Sequence, residues 1–195
     1  MIWASVGSLP AKARSWCFKR ASYTILQIMK VLQIPKMPAL VLRLEGEGGS
    51  LLQAHLSLPE KEGFQLVFEP AEIAPALVET LVEWLGLYAE RKAPAFPLPL
   101  DTSPCGPFTQ KVLKQLQKVP FGESTSYAAL AAQVKSPKAA RAVGNACGAN
   151  LFPLLIPCHR VLAAGGKLGG FSCGAEIKKR LLAFEKIPYT QGSVP

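Results

Sequence analysis

The chain has 195 residues, 49% of them hydrophobic and 18% charged, enough to bury an ordinary core in one or two small domains. It contains no run of about 18 uninterrupted apolar residues, so no membrane span is expected. Five cysteines without a CxxC pair, beside only two histidines, argue against a disulfide framework or a zinc site. We therefore expect a reduced compartment, the cytoplasm or a nucleus, and no metal.

The first 37 residues contain no acidic residue. Their basic, serine-containing composition is compatible with an organelle transit peptide, and organelle targeting stays open. A misplaced start is an alternative, because Met29 and Met37 both precede the first predicted strand. A third is a basic arm that adds affinity for nucleic acid. We treat residues 1–37 as an N-terminal extension of unknown role.

Residues 38–92 are predicted to form a small α/β domain. Three short apolar runs, at residues 39–44, 51–58 and 64–68, are separated by glycine-rich or charged turns and predict a three-stranded antiparallel sheet. Helical spacing follows at residues 71–87.

Residues 93–103 are rich in proline and predict an extended, fairly stiff linker. This segment separates two parts of opposite charge. Residues 45–103 carry three basic and ten acidic residues, whereas residues 104–195 carry twelve basic and three acidic ones. A basic C-terminal part suits a partner that carries phosphates.

Two short helices are predicted at residues 124–134 and 136–150. Ser136 is a candidate N-cap, Pro137 suits the first helical position, and the second helix closes near a glycine. A helical wheel separates an inner face of Ala139, Ala142, Val143 and Ala146 from an outer face of Arg141, Gly144 and Asn145. We interpret the pair as a helix-turn-helix, whose second helix enters a nucleic-acid groove.

The strongest candidate for chemistry is Cys158, which is followed directly by His159 and Arg160. Thiolate is the reactive form of cysteine, and neighbouring positive charge lowers the thiol pKa, so Cys158 is predicted to be a nucleophile. A further helix is predicted at residues 174–186. It places Glu185 at its inward edge, where a carboxylate needs a partner and could orient the imidazole of His159.

These motifs resemble the O6-alkylguanine-DNA alkyltransferase family. The resemblance covers roughly residues 104–187, and its most specific part is the run Ile156-Pro157-Cys158-His159-Arg160-Val161. It also includes Phe108 to Leu113, Pro120 to Glu123, Ser126-Tyr127, Ala140 to Gly144, Asn150 and Lys178 to Glu185.

The resemblance implies an N-terminal α/β domain with a small antiparallel, ribonuclease H-like sheet. A mostly α-helical, winged-helix-like catalytic domain with the helix-turn-helix would occupy residues 104–188, and 189–195 would form a tail. It implies DNA repair by direct reversal, in which Cys158 takes the alkyl group from O6-alkylguanine once per molecule, with O4-alkylthymine left open. The implied partner is double-stranded DNA, bound by a monomer through the minor groove with little sequence preference. No cofactor is implied.

Site roles also follow from the resemblance. The catalytic set would be Cys158, His159, Glu185, Tyr127 and Asn150. Tyr127 would donate a proton toward the purine and help to flip the target base, and Asn150 would hold the turn before the reactive loop. DNA would be contacted by Arg141, which fills the gap left by the flipped base, and by Ala140, Gly144, Tyr127 and Ser126. The substrate pocket would be lined by Pro153, Val161, Phe171 and Ser172, under a loop at residues 169–173.

Two departures from the family pattern stand in that loop. Phe171 replaces the usual tyrosine, and Cys173 adds a second thiol, which we expect to be inert.

Two alternative functions stay open. One is a non-catalytic helix-turn-helix protein that binds DNA or its lesions, although such relatives lack the reactive cysteine that this chain retains. The other is a cysteine hydrolase, which would need an oxyanion hole that the sequence does not show.

Overall fold

The computed structural model describes residues 31–47, 50–60, 62–69 and 74–190. The transit peptide and the basic arm concern residues that lie almost wholly outside this part of the chain. The start of the helix predicted from residue 71 and most of the tail at 189–195 lie outside it too.

The N-terminal unit is a four-stranded sheet. Its strands are β1 (Val31–Ile34), β2 (Val41–Glu47), β3 (Ser50–Ser57) and β4 (Phe64–Glu69), in the order β1-β4-β2-β3. β1 pairs antiparallel with β4 and β2 antiparallel with β3, but β2 and β4 run parallel. The predicted three-stranded antiparallel sheet was therefore wrong. Apolar alternation determines which face of a strand is buried, but it does not determine which strand becomes its neighbour.

The sheet begins inside the segment that the sequence assigned to an extension. Ile34 lies opposite Phe64 in the register between β1 and β4. Ile34 and Met37 are both buried, at 2% and 8% exposure. The boundary at residue 37 was therefore wrong, because residues 31–37 contribute a strand and core side chains. A chain starting at Met37 would lack β1.

One helix, α1 (Pro75–Ala89), packs on the sheet. Proline at its start suits a position where no backbone donor is needed. Its buried residues recur at helical spacing and join the sheet's core: Leu77, Leu81, Val82, Trp84, Leu85 and Tyr88.

The proline-rich segment after α1 is extended but packed. Phe96 is 9% exposed and meets the Trp84 ring edge-on, with 5.6 Å between ring centroids. Trp84 Nε1 donates a hydrogen bond to the carbonyl of Pro94 at 2.9 Å. The segment is therefore a strap along α1 rather than a free spacer.

The C-terminal unit is mainly helical, so the general prediction of an α/β unit followed by a helical unit is confirmed. Its elements are α2 (Pro107–Leu116), β5 (Thr125–Ser126), α3 (Tyr127–Gln133), α4 (Ala140–Gly148), a 3₁₀ turn (Cys158–Arg160), β6 (Val161–Leu162), a second 3₁₀ turn (Ala164–Gly166) and α5 (Ala175–Glu185). β5 and β6 pair in parallel. One continuous apolar core runs from Ile34 in the sheet to Leu181 in α5. Of the helices that the structure describes, none has the length and apolar character of a membrane span.

The helix α4 starts later than predicted. Its N-cap is Ala139, so the predicted N-cap was wrong. The backbone carbonyl of Ser136 instead accepts a hydrogen bond from the Ala139 amide at 2.9 Å, in a turn that precedes the helix. Ala142 is exposed, also against prediction. The buried side of α4 is a narrow stripe of Val143, Ala146 and Cys147. Ala142 has only a methyl group, so its burial would remove little apolar area from water and contributes little to the packing of α4.

Candidate active site

The Cys158 sulfur sits at the start of the 3₁₀ turn and is buried, with the residue 3% exposed. Asn150 Nδ2 donates to this sulfur at 3.1 Å and to the carbonyl of Ile156 at 2.9 Å. Its Oδ1 accepts from the amide of Phe152 at 3.0 Å. One buried amide side chain thus holds the loop that joins α4 to Cys158 and also places a donor on the sulfur.

Burial raises the pKa of Cys158 to about 12, and the hydrogen bond from Asn150 opposes this only in part. The expectation that adjacent positive charge lowers this pKa was wrong. The side chains of His159 and Arg160 bond to Glu185 rather than to the sulfur. At neutral pH the sulfur is therefore a thiol, and it has to lose its proton during any reaction.

Glu185, at the end of α5, is the centre of a buried network. Its Oε1 lies 2.7 Å from His159 Nε2 and accepts from Arg160 Nη2 at 3.0 Å and from the Tyr88 hydroxyl at 2.5 Å. Its Oε2 accepts from Arg160 Nε at 2.8 Å and from the Gly122 amide at 3.2 Å. We call these five residues the Glu185 network. Every acceptor position of the carboxylate faces a donor, as a buried charge requires.

The network determines the charge states of its members. Burial alone would raise the pKa of Glu185, but the hydrogen bonds and charges of His159 and Arg160 outweigh it and hold this pKa at about 2. Burial lowers the pKa of His159, and the hydrogen bond to Glu185 opposes that shift. The carboxylate is therefore ionised at neutral pH, and its partner nitrogen Nε2 carries hydrogen.

The other ring nitrogen, His159 Nδ1, is buried and hydrogen-bonded to none of the residues that the structure describes. In a neutral imidazole with hydrogen on Nε2, Nδ1 carries the lone pair. The ring is thus oriented as a base, with the carboxylate behind it and its basic nitrogen free for a proton.

A covering loop at residues 169–173 is held from two sides. Lys178 is fully buried on α5, and its Nζ donates to the carbonyls of Val161 at 2.6 Å and Gly170 at 3.2 Å. Tyr127, at the start of α3, donates its hydroxyl hydrogen to the same Gly170 carbonyl at 3.4 Å. Burial lowers the pKa of Lys178 to about 8. The loop is therefore tied to α5 and α3 through a single carbonyl, and Lys178 links it further to β6.

A cavity of about 300 Å³ opens between the edge of β3 and the segment after α4, residues 148–153. Asn150, Pro153 and Ser172 line it, so the structure brings these three predicted residues together. Two others lie apart from it: Val161 is fully buried, and Phe171 packs half-buried on the core. The edge of β3 is joined to the segment after α4 by a hydrogen bond from the Ala54 amide to the Leu151 carbonyl at 2.8 Å.

The residues predicted to contact DNA lie on α3 and α4. Arg141 is exposed on α4, where Ala140 and Gly144 are partly buried. A Cβ atom on Gly144 would lie 3.8 Å from the Tyr127 ring, an ordinary van der Waals contact, so the two helices are in contact at this position without requiring glycine there. Ser126 is the N-cap of α3, and its hydroxyl oxygen accepts from the Ala129 amide at 3.1 Å.

Three residues of the site had no role in the sequence-based prediction: Tyr88, Gly122 and Lys178. Arg160 was expected only to lower the pKa of Cys158, not to bond to Glu185. Arg160, Gly122 and Lys178 lie inside motifs that carried the resemblance, so a signal for them existed. Tyr88 lies 97 residues before Glu185, in the other unit, and nothing local in the sequence marks it. Within residues 31–47, 50–60, 62–69 and 74–190, no group of histidine, cysteine and acidic side chains is arranged to hold a metal ion.

Comparison with known proteins identifies relatives of this chain. The family described as 6-O-methylguanine DNA methyltransferase, DNA binding domain, matches residues 107–187. The methylated-DNA–protein-cysteine methyltransferase of Mycolicibacterium paratuberculosis is 43% identical over 105 residues, which are 54% of this chain and 63% of that protein. The constitutive enzyme of the same name from Bacillus subtilis is 48% identical over 103 residues, 52% of this chain and 61% of its own. The matched region thus spans about three fifths of the length of these curated relatives.

Solved structures cover more of the chain. The crystal structure of Mycobacterium tuberculosis OGT in complex with DNA aligns with a TM-score of 0.58 and 35% identity, over 73% of this chain and 85% of that one. The O6-methylguanine-DNA methyltransferase of Pyrococcus kodakaraensis aligns with a TM-score of 0.51 and 23% identity, over 75% of this chain and 98% of that one, a likeness of fold.

Proposed function

The chain belongs to the methylated-DNA–protein-cysteine methyltransferase family, and we propose that it repairs DNA by moving the alkyl group from O6-alkylguanine to Cys158 Sγ. O4-alkylthymine is a second substrate to be tested. The observation that carries this proposal is the arrangement of three side chains. Asn150 Nδ2 donates to the Cys158 sulfur at 3.1 Å. His159, which follows Cys158 in the chain, is oriented by Glu185, with 2.7 Å between Nε2 and Oε1.

The first step generates the thiolate. The thiol of Cys158 releases its proton toward the basic Nδ1 of His159 through one water molecule, since no direct hydrogen bond joins the two groups. Glu185 stabilises the imidazolium that forms, and Arg160 keeps Glu185 ionised. The hydrogen bond from Asn150 stabilises the negative sulfur. Such coupling suits a thiol whose pKa is raised by burial, because the anion then forms only where it is used.

The second step transfers carbon. The thiolate attacks the alkyl carbon, a carbon–sulfur bond forms, and the bond from that carbon to guanine O6 breaks, leaving its electron pair on the purine. Tyr127, whose hydroxyl reaches the covering loop, donates a proton toward the departing base. A thioether has no ready leaving group, so each molecule acts once.

We propose that DNA binds to a helix-turn-helix formed by α3 and α4, in a winged-helix-like unit whose sequence is strongly basic. The small residues Ala140 and Gly144 suit close approach to the minor groove, with little sequence preference, since that groove carries a degenerate pattern of donors and acceptors. Exposed Arg141 enters the duplex and fills the space of the flipped base. The protein acts as a monomer in a reducing compartment, the cytoplasm or a nucleus, and the sheet unit is ribonuclease H-like.

Access to Cys158 requires movement of the covering loop, since the sulfur is buried. The Tyr127 hydrogen bond to Gly170 is long, at 3.4 Å, and so is the weaker of the two ties on that carbonyl. Binding of the duplex against α3 would release it, whereas Lys178 would keep the base of the loop in place.

The direct test is a mass measurement on the full chain. Incubation with duplex DNA carrying one O6-methylguanine should add a single methyl group to the peptide that contains Cys158, and Cys158→Ala should gain none. A methyl group on Cys173, or turnover beyond one per molecule, would contradict the mechanism. Binding to the lesion without any mass change would favour the non-catalytic alternative.

A second experiment tests the role of Arg141. Arg141→Ala should slow repair of the duplex far more than transfer from free O6-benzylguanine, because only the duplex requires a base to be extruded. Lys138→Ala, a charge change near the start of α4, is the matched control. Equal loss on both substrates would contradict insertion of Arg141 into the duplex.

A further inference from the structure

The two units of the chain meet at the Glu185 carboxylate. Tyr88, near the end of α1, is fully buried, and its hydroxyl donates to Glu185 Oε1 at 2.5 Å. His159 Nε2 lies 2.7 Å from this same oxygen. A side chain of the sheet unit thus shares an acceptor atom with the candidate catalytic base.

We propose that Tyr88 is a positioning residue of the alkyl-transfer reaction, which orients the Glu185 carboxylate and moderates its pull on the His159 imidazole. This inference rests on the proposed function and extends it, because it makes the N-terminal unit part of the active site. A merely supporting unit would contribute packing and no hydrogen bond to the network.

The geometry separates Tyr88 from the other donors. Arg160 bonds to both carboxylate oxygens and fixes the plane of the group, and Gly122 bonds to Oε2 alone. Tyr88 is the neutral donor on Oε1, the oxygen that faces the imidazole. Its hydrogen bond draws negative charge from that oxygen and sets the direction of its remaining lone pair.

The hydroxyl is held in place by aromatic rings from both units. The Tyr88 ring stacks on Phe184 of α5 with centroids 5.5 Å apart and meets Phe121 edge-on at 5.2 Å. On its own helix it lies 5.4 Å from Trp84. The Arg91 guanidinium covers the Phe184 ring at 5.2 Å. With the ring enclosed on these sides, the hydroxyl has little freedom to leave Oε1.

The electrostatic consequence can be given a direction. The charged groups that face the imidazole are Glu185, Arg160 and Lys178, and those that face the Tyr88 hydroxyl are Glu185 and Arg160. Burial and the nearby carboxylate raise the pKa of Tyr88, so the phenol stays a donor. Without the hydroxyl, Oε1 carries more unshared negative charge and attracts a proton on His159 more strongly. The pKa of His159 should therefore rise.

Tyr88→Phe tests this, since it keeps the ring and removes only the hydroxyl. Single-turnover transfer from O6-methylguanine duplex should slow about tenfold at neutral pH, because the carboxylate no longer holds the imidazole in one orientation; this loss is equivalent to about 1.4 kcal/mol in the barrier. The acid limb of the pH–rate profile should move upward by about half a pH unit or more, because the neutral base is then reached at higher pH. The His159 pKa, measured by NMR of the imidazole, should move the same way.

Two controls separate positioning from packing. Tyr189→Phe removes a phenolic hydroxyl outside the Glu185 network, and neither the rate nor the His159 pKa should change. Leu77→Ala removes buried apolar area at the start of α1, about three turns from Tyr88, so it should lower the melting temperature without moving the acid limb. If Tyr88→Phe behaves like Leu77→Ala, Tyr88 has only a structural role and the inference is overturned.

The NMR measurement keeps this inference distinct from the proposed function. If the unmodified chain transfers no alkyl group, the proposed function fails, while a shifted His159 pKa in Tyr88→Phe would still support the coupling. An unchanged His159 pKa would overturn the Tyr88 inference even where the unmodified chain repairs DNA.

Discussion

Replacing Glu185 by glutamine changes one oxygen for an amide group and removes the charge at the centre of the buried network. In the folded chain the pKa of Glu185 is about 2, against an ordinary value of 4.5. Each pKa unit corresponds to about 1.4 kcal/mol, so the ionised carboxylate stabilises the fold by roughly 3 kcal/mol relative to a neutral group. The glutamine NH₂ group is a donor, and it would face either the Gly122 amide or the Arg160 guanidinium, which are donors as well. That hydrogen bond would be lost.

The pH dependence has a definite sign. Between pH 4.5 and pH 2 the unfolded chain holds a proton on Glu185 that the folded chain does not, so lowering the pH favours unfolding. A protonated glutamic acid resembles glutamine. The stability difference between the unmodified chain and Glu185→Gln should therefore shrink from roughly 3 kcal/mol at pH 7 to about half of that near pH 3.

The assay is urea unfolding followed by circular dichroism at pH 7, 5, 4 and 3. The matched control is Glu176→Gln in the same helix, where the carboxylate is exposed and pairs with Arg180 at 3.1 Å. An exposed pair four residues apart contributes only about 0.5 kcal/mol. The reasoning would be refuted if Glu185→Gln were as stable as Glu176→Gln at pH 7, or if its deficit stayed constant down to pH 3.

Two further predictions concern the backbone and the thiols. Gly122 has a φ of 79°, so Gly122→Ala should lower the free energy of unfolding by about 1–2 kcal/mol, measured by urea unfolding. The control Gly148→Ala, at an ordinary φ with open space around it, should cost nothing. Equal stabilities of the two variants would contradict a strained backbone at residue 122. With iodoacetamide at pH 8, the half-buried Cys173 should be modified well before Cys158, because burial raises the pKa of Cys158 to about 12. Peptide mapping would show the order of modification. Faster reaction of Cys158 would mean that its sulfur is open to solvent.

Local pattern in the sequence was sufficient for most elements of the C-terminal unit. The helix predicted at residues 174–186 is α5 (Ala175–Glu185), with Glu185 buried as its place on the wheel required. The end of α4 at Gly148 also follows its glycine. These features depend on neighbours within a few residues, where helical periodicity and termination signals act.

The errors share a different origin. The parallel pairing of β2 with β4 and the strand at Val31–Ile34 depend on contacts between distant segments. The shift in the pKa of Cys158 was predicted in the wrong direction, because residues next to Cys158 in the sequence were assumed to place positive charge next to its sulfur. In the fold, the side chains of both neighbours bond to Glu185 instead.

The order of residues alone was enough to predict a nucleophilic sulfur, a neighbouring histidine as base, an acidic residue at the end of a later helix and a basic surrounding unit. Each of these depends only on residue type and short-range spacing. The protonation state of that sulfur and the donors that keep Glu185 ionised were decided by folding. Desolvation and hydrogen bonding depend on which distant groups are brought together, and Tyr88 reaches Glu185 only because two units pack around one core.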